Sequence, residues 1–394
     1  MIPFLDLAGD FAAVEAEARR RLDGVLARQQ FVLGPETAEL EDSLRRRLGA
    51  GGAVAVSSGS EALVLSLLSL GIGAGDAVLL PAFTFFATAG AVLRTGAVPV
   101  FCDIDRGTFL AGGAEMRAAV DGEFRADGGV HRHRRSGARL AALLPVHLYG
   151  RAAAMPEIVA LAAELGVKVV EDAAQAVDCR LGGGSVGLFG DAGCLSFYPT
   201  KNLGGGGDGG MILCGDPAAA ARLARLRSHG SEPGSYEHLE AGVNARMGEL
   251  VAAVLNAKLP RLEAWTRHRR AVAALYGERL AEAATGGLLE LPDIPEAADS
   301  HVWHQYAVRL TGAGRRDRVA AALERRGMAT RVFYPLPLHL QPCFAGLGGK
   351  EGDLPCSEAA AREVLCLPIH GSIAVEAAAT VAEALAEEAG AAAS

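Results

Sequence analysis

No stretch of this sequence is long and apolar enough to span a bilayer. Its longest apolar run, residues 62–74, is broken by Ser66 and Ser69 and is followed by Asp76, short of the ~20 residues a membrane helix needs. The N-terminus, Met1-Ile-Pro-Phe-Leu-Asp-Leu, lacks the basic stretch of a secretory leader, and Asp6 and Asp10 interrupt any leader-like run. Neither export nor a membrane is expected, and the expected location is cytoplasmic. Basic excess is missing too: the formal net charge is −8, which leaves no electrostatic footprint for nucleic acid or an anionic surface. The seven cysteines include no CxxC pair and mostly lie in apolar runs, as reduced, buried cytosolic thiols do. Neither a disulfide framework nor a metal site is expected, and a small-molecule partner is favoured.

What is present is apolar mass and glycine: half of the 394 residues are hydrophobic and 50 are glycine. That length exceeds one compact core and predicts two lobes. Apolar residues recur at helical spacing over residues 11–29 and 36–48. Short apolar runs at residues 53–57, 77–81, 98–102, 140–146, 167–170, 192–197 and 211–214 read as strands, most of them separated by amphipathic stretches. This is the pattern of βαβ units and a largely parallel sheet covered on both faces. From residue 247 a helical, Arg-rich and Ala-rich segment runs to about residue 284 and leads into the second lobe. There the pattern predicts strands near 301–310 and 329–333 and helices near 316–326, 357–365 and 375–388. The domain division expected is 1–246 and 247–394.

Lys201 stands in Ser196-Phe-Tyr-Pro-Thr-Lys201-Asn-Leu-Gly, after an apolar run and before a run of glycines. An isolated lysine is ordinarily a solvated charge, but here the backbone must turn tightly and admit something large. Beside an apolar strand end its pKa falls, which supplies the neutral amine that an imine requires. Upstream, Val167-Lys-Val-Val-Glu171-Asp172 reads as a buried strand delivering a carboxylate at its carboxyl end. Asp172 is then either a helix cap or the partner of a pyridine nitrogen, keeping it protonated so that the ring accepts electrons. Together the lysine and aspartate point to pyridoxal phosphate. Gln175, three positions on, faces the same ligand if a helix begins there, whereas Glu171 points to the opposite side by strand alternation.

A cofactor phosphate needs amide donors at a helix start, and Ser57-Ser58-Gly59-Ser60-Glu61 lies between a strand and a helix. Ser60 offers a hydroxyl as well as an amide, and Ser196 is a second hydroxyl. Among Phe83, Phe85 and Phe86, Phe85 is favoured to cover a ring. Two nucleotide readings of the glycine run fail. Gly205-x-Gly207-x-x-Gly210 leads into a strand where the dinucleotide fingerprint requires a helix, and Thr200 stands where a phosphate-binding loop requires glycine before its lysine. His131-Arg-His133-Arg134-Arg135 reads as a solvated loop rather than a metal or anion site.

Taken in order, Phe31-Val-Leu-Gly-Pro-Glu36, Ser58-Gly-Ser-Glu-Ala62, Pro81-Ala-Phe-Thr-Phe85, Pro145-Val-His-Leu-Tyr-Gly150, Glu171-Asp-Ala-Ala-Gln175, Ser196 to Asn202, Gly242-Val-Asn-Ala-Arg246 and Tyr334-Pro-Leu-Pro-Leu-His339 make the chain resemble the DegT/DnrJ/StrS family of sugar aminotransferases over nearly its whole length. The resemblance implies an α/β PLP-dependent transferase type I fold, with a mostly parallel central sheet in a large domain and a smaller C-terminal α+β domain. It also implies a homodimer with shared active sites. It makes Lys201 the Schiff-base lysine and proton shuttle, Asp172 the pyridinium partner, Gln175 a ring contact and Phe85 the stacking aromatic. Ser60, Glu61 through its backbone, and Ser196 would hold the phosphate, joined by Asn244 from the other subunit. Arg246, Tyr334 and His339 would lie near the substrate. Dehydrating relatives replace the lysine with histidine, so the implied activity is transamination, from glutamate to a keto group of a nucleotide-linked sugar. A keto-cyclitol or aminoshikimate-type precursor is the alternative substrate, and a non-catalytic sugar-binding or regulatory relative the alternative role.

Overall fold

The computed structural model describes residues 1–232 and 234–392. Three helices open the chain: α1 (Leu7–Ala12), α2 (Glu15–Arg28) and α3 (Pro35–Leu48). The last begins with proline in its first turn, where no amide partner is lost, and ends at Gly49 in the left-handed region. Strand and helix then alternate: β1 (Gly52–Val56), α4 (Gly59–Ser69), β2 (Asp76–Pro81), α5 (Phe86–Arg94), β3 (Val98–Cys102) and α6 (Gly113–Glu123). A hairpin of β4 (Phe124–Asp127) and β5 (Val130–His133) precedes β6 (Arg139–Leu143), α7 (Met155–Leu165) and β7 (Lys168–Asp172). The small ribbon β8 (Arg180–Leu181) and β9 (Gly184–Ser185) leads to β10 (Ala192–Ser196), β11 (Gly210–Cys214) and α8 (Pro217–Leu226).

The strands form one nine-stranded sheet in the order β1-β11-β10-β7-β6-β2-β3, with the hairpin attached through β5 to β6. From β10 to β3 every neighbouring pair is parallel, and only β11 and β5, the inner strand of the hairpin, run against this direction. Both faces are covered. Val54 and Val56 of β1 and Ile212 of β11 pack into one apolar cluster, while Ala55, Met211 and Leu213 pack into another on the opposite face. That double burial is why these strands read as continuous apolar runs rather than as alternation.

The remaining elements are α9 (Glu249–Lys258), α10 (Leu262–Thr285), β12 (Tyr306–Arg309), α11 (Arg315–Arg325), α12 (Pro355–Glu363), β13 (Val364–Leu367) and α13 (Val375–Ala391). A third cluster, from Val272 to Ala389, is built on α10, β12, β13 and α13. Met247, Ala252, Leu255 and Leu262 belong instead to a cluster under the large sheet, so α10 runs from one apolar cluster into the other.

Two readings of the sequence need correction. Residues 329–333 make only an isolated bridge, Arg331 to Cys366, and the antiparallel partner of β12 is β13. The helix expected over 357–365 stops at Glu363, where Val364-Leu-Cys-Leu pairs with Tyr306–Arg309, because tertiary pairing overrides local propensity. The expected basic loop is the β4–β5 hairpin. Its turn, Gly128-Gly129, has positive φ at both positions (59° and 85°), the geometry that suits a two-residue hairpin loop. Among the described residues no helix is long and apolar enough to cross a membrane, and no cluster of three or more side chains is fit to hold a metal.

Candidate active site at the carboxyl edge of the sheet

Sheet register gathers the reactive segments. Val56 pairs with Gly210, Gly210 with Ser196, and Cys194 with Asp172, so the carboxyl ends of β1, β10 and β7 lie on one edge, where open α/β sheets bind ligands. Beyond β1 the chain turns straight into α4. Ser58 caps that helix, accepting from the Glu61 amide at 3.1 Å, and the Gly59 and Ser60 amides have no acceptor among the described residues. A side chain at Gly59 would put its Cβ 2.7 Å from the Ser196 Cβ, and one at Gly210 would stand 2.4 Å from the Ser58 carbonyl. Only glycine permits that approach, which sets the Ser196 hydroxyl beside the start of α4. Free amides, the positive end of the helix dipole and two hydroxyls make an anion seat there. Glu61 adds less than expected, since its amide is already engaged by Ser58 and its carboxylate pairs with Arg94 at 2.6 Å.

Lys201 sits on the turn after β10, its amide donating to the Tyr198 carbonyl at 2.8 Å. Its amine has no hydrogen-bond partner among the described residues. Burial lowers its pKa from 10.5 to about 8, with the Asp172 charge opposing the shift. Asp172 is buried at the end of β7, where its Oδ2 accepts from Thr88 Oγ1 at 2.8 Å and its Oδ1 from the Ala174 amide at 3.1 Å. Burial raises its pKa, while those two hydrogen bonds and Lys201 favour the ionised form. Each oxygen retains a lone pair for a further donor.

Gln175 follows, but both ends of its amide are engaged within the protein: Oε1 accepts from the Tyr149 amide at 2.6 Å and Nε2 donates to the Tyr334 hydroxyl at 3.1 Å. The Tyr149 hydroxyl donates to the Phe333 carbonyl, and the Phe333–Tyr334 peptide is cis. Phe85, 56% exposed, has its ring 5.9 Å from that of Tyr334, and neighbouring Phe86 stacks on Phe344 instead.

Asn244 and Arg246 flank the end of β1. Arg246 bridges to Val56, the Ser57 amide donates to the Ala245 carbonyl at 2.8 Å, and Arg246 Nε donates to Asn244 Oδ1 at 3.0 Å. His339, expected near the substrate, lies elsewhere. It is buried with Nε2 3.1 Å from Glu358, in a cavity of about 100 Å³ shared with Phe101, His133 and Arg135 at the β3 edge, because Leu338 is tied to the Ala82 carbonyl and turns the chain outward. Sequence reasoning missed Thr88, Tyr149 and Asn202, whose partners are distant in the chain. The available signals were the Thr84-Phe-Phe-Ala-Thr88 stretch and the segments 145–150 and 196–202, which contain Tyr149 and Asn202.

A model of the DegT/DnrJ/EryC1/StrS aminotransferase family matches residues 13–386. The chain is 43% identical over 386 residues to a Geobacillus stearothermophilus protein named pleiotropic regulatory protein, covering 98% of both. It is 39% identical over 381 residues to the UDP-N-acetyl-3-dehydro-alpha-D-glucosamine 3-aminotransferase of Acidithiobacillus ferrooxidans, covering 97% of this chain and 96% of the relative. In structure it is similar to S. venezuelae DesV, crystallised in complex with a ketimine intermediate, with a TM-score of 0.89, 38% identity and 98% of each chain covered.

Proposed function

Since the chain belongs to the DegT/DnrJ/EryC1/StrS aminotransferase family, whose members work with pyridoxal phosphate or its amine form, we propose that it moves an amino group from glutamate to the keto group of a nucleotide-linked sugar. The observation that carries this reading is the meeting of an uncommitted amine, Lys201 Nζ, with the buried Asp172 carboxylate and the free amides of α4 at one sheet edge. That donor set fits the cofactor: an amine for its aldehyde, a carboxylate for its ring nitrogen and an anion seat for its phosphate.

When bound, pyridoxal phosphate supplies a ring that accepts electrons from the substrate carbon. The protein's own groups do the rest. Ser60, Ser196 and the α4 amides would hold the phosphate, and Asp172 would keep a proton on the ring nitrogen. Lys201 Nζ, neutral above about pH 8, would take up the proton that leaves one carbon of the reacting pair and deliver it to the other, as general base and then acid. Phe85 would stack on the ring, Gln175 holds the Tyr334 hydroxyl, and Tyr334 and Arg246 would stand near the sugar.

The nucleotide sugar rests on the names of relatives such as the Acidithiobacillus enzyme. A regulatory, non-catalytic role has in its favour the names of two relatives, the Geobacillus protein and a Saccharopolyspora erythraea protein named for sensory transduction, and the retained Lys201 amine argues for catalysis. We further propose a homodimer. Phe31, Val32, Leu33 and Leu250 are exposed and adjacent, the Glu249 amide donating to the Phe31 carbonyl, and exposed Asn244 would reach into the site of the second copy. The seven unpaired cysteines favour the cytosol, and the third apolar cluster favours a small C-terminal body joined along α10. Incubating the cofactor-loaded protein with glutamate and a panel of UDP- and dTDP-linked 3-keto sugars should yield the amino sugar. Conversion of keto-cyclitols alone would redirect the substrate assignment, and no amino transfer to any ketone would sink catalysis.

A further inference from the structure

Lys201 is held by few bonds of its own, and the neighbouring residue anchors the turn. Asn202 is buried and points away from the site, its Nδ2 donating to the Val302 carbonyl at 3.0 Å and its Oδ1 facing His304 Nδ1 at 3.1 Å. With the amide nitrogen committed to a carbonyl, the group facing the imidazole is the amide oxygen, so Nδ1 carries the hydrogen. His304 Nε2 is then a lone pair, and it faces Gln305 Nε2 at 3.4 Å, which donates. The second of these bonds, in which Nε2 accepts, requires a neutral ring. Burial, with Lys201 and Arg269 as the facing charges, pushes the His304 pKa well below its ordinary value.

The path continues around the site. The Gln305 amide donates to the Tyr149 carbonyl at 3.2 Å, and the Tyr149 amide to Gln175 Oε1 at 2.6 Å. Residues 300–305 are also the seam between the two bodies. The Ala152 amide donates to the Ser300 carbonyl and the Val302 amide to the Gly150 carbonyl. Val302 packs under the large sheet, whereas Trp303 and Tyr306 pack into the small-body cluster. His304 therefore stands on a segment that, like α10, enters both cores, with its ring against the residue after Lys201.

We propose that His304, as the neutral Nδ1–H tautomer, is a positioning residue that transmits the placement of the small body to the Lys201 turn through Asn202. The proposal rests on reading Lys201 as the reactive lysine. An asparagine at 304 places its amide nitrogen near the Nδ1 position and preserves the donor, whereas a glutamine reaches the Nε2 position and loses it.

The test uses cofactor-free protein and the pH profile of Lys201 labelling by a small aldehyde with borohydride, read by mass spectrometry, beside thermal unfolding. His304→Gln and Asn202→Leu should each slow Lys201 labelling about fivefold, the worth of one lost hydrogen bond, or move its pH midpoint. The double variant should show no more than the larger single effect, and His304→Asn should restore the native profile. In the loaded enzyme kcat should fall with the glutamate KM unchanged. Native labelling in folded His304→Gln, or equal profiles in His304→Gln and His304→Asn, would overturn the proposal. If the native protein itself shows no preferential labelling of Lys201, the reading of Lys201 fails instead.

Discussion

Glu171 and Asp172 are consecutive carboxylates on β7, and they have opposite fates. Glu171 is fully buried with no room for a ligand: its oxygens accept from the Gly187, Phe189 and Gly190 amides at 2.7 to 2.8 Å and lie 3.0 Å from His147 Nε2. Asp172, on the other side of the strand, receives one bond on each oxygen and faces Lys201. A carboxylate with a complete set of donors is a fastening. One with lone pairs in reserve, facing an amine that no described residue engages, is a binding group. Lysines repeat the contrast, since Lys258 gives its amine to the Gly204 carbonyl at 2.8 Å while Lys201 gives its amine to none of the described residues.

The strongest challenge to that contrast is Lys201→Ala, expected to lose transamination by about 10³-fold or more along with every borohydride-reducible cofactor linkage. A linkage that persists would mean that another amine reacts. Next in size, exchanging the two carboxylates in turn should separate chemistry from stability. Asp172→Asn should cost about 10² to 10³ in kcat while leaving the unfolding midpoint unchanged or higher. Its folded pKa is raised, so the native state loses stability as pH climbs from the unfolded value through the folded one, and removing the charge removes that cost at neutral pH. Glu171→Gln should do the reverse, losing about 2 to 4 kcal/mol of stability with the activity per folded molecule kept. Equal effects on both properties from both variants would erase the distinction.

The pH dependence gives a smaller effect. The folded Lys201 pKa of about 8 lies below 10.5, so between these values the unfolded chain binds more protons. Cofactor-free protein should therefore gain stability relative to Lys201→Ala as pH rises from about 8 toward 10.5, and the cost should be fully present below 8. Denaturant titrations at stepped pH would show it, and a flat difference would remove the buried amine from the account. Smallest is Thr88→Val, which deletes the donor to Asp172 Oδ2. It should raise the Asp172 pKa further, shift the acid limb of the activity profile to higher pH and weaken cofactor retention about fivefold.

Much of the sheet was legible because strands buried on both faces are apolar throughout, and runs such as residues 77–81 and 98–102 carry that composition without help from their neighbours. The β4–β5 hairpin was not. Its strands are charged and its pairing is backbone to backbone, and only Gly128-Gly129 marked the turn. β13 was hidden because Val364–Leu367 continues a helical spacing until pairing with β12 claims it. In the site, the segments around Lys201, Asp172, Ser60 and Ser196 stood out locally, because a lysine before glycines, a carboxylate after an apolar run and a serine turn before a helix are features of neighbouring residues. Thr88, Asn202 and His304 did not, since each matters through a partner that folding brings up. His339 shows the reverse hazard, lying in a telling motif yet carried out to the β3 edge.

The sequence by itself determined the alternation of strand and helix, the apolar runs that become the sheet, and the placing of an amine, a carboxylate and a helix start at the ends of three of those runs. Only the tertiary structure decided that the amine has no partner among the described residues, that Asp172 rather than Glu171 keeps lone pairs in reserve, and that the segment around His304 bonds to Asn202 beside the lysine. Composition and spacing act through adjacent residues, whereas the availability of a polar group depends on which donors, acceptors and apolar walls arrive from the rest of the chain.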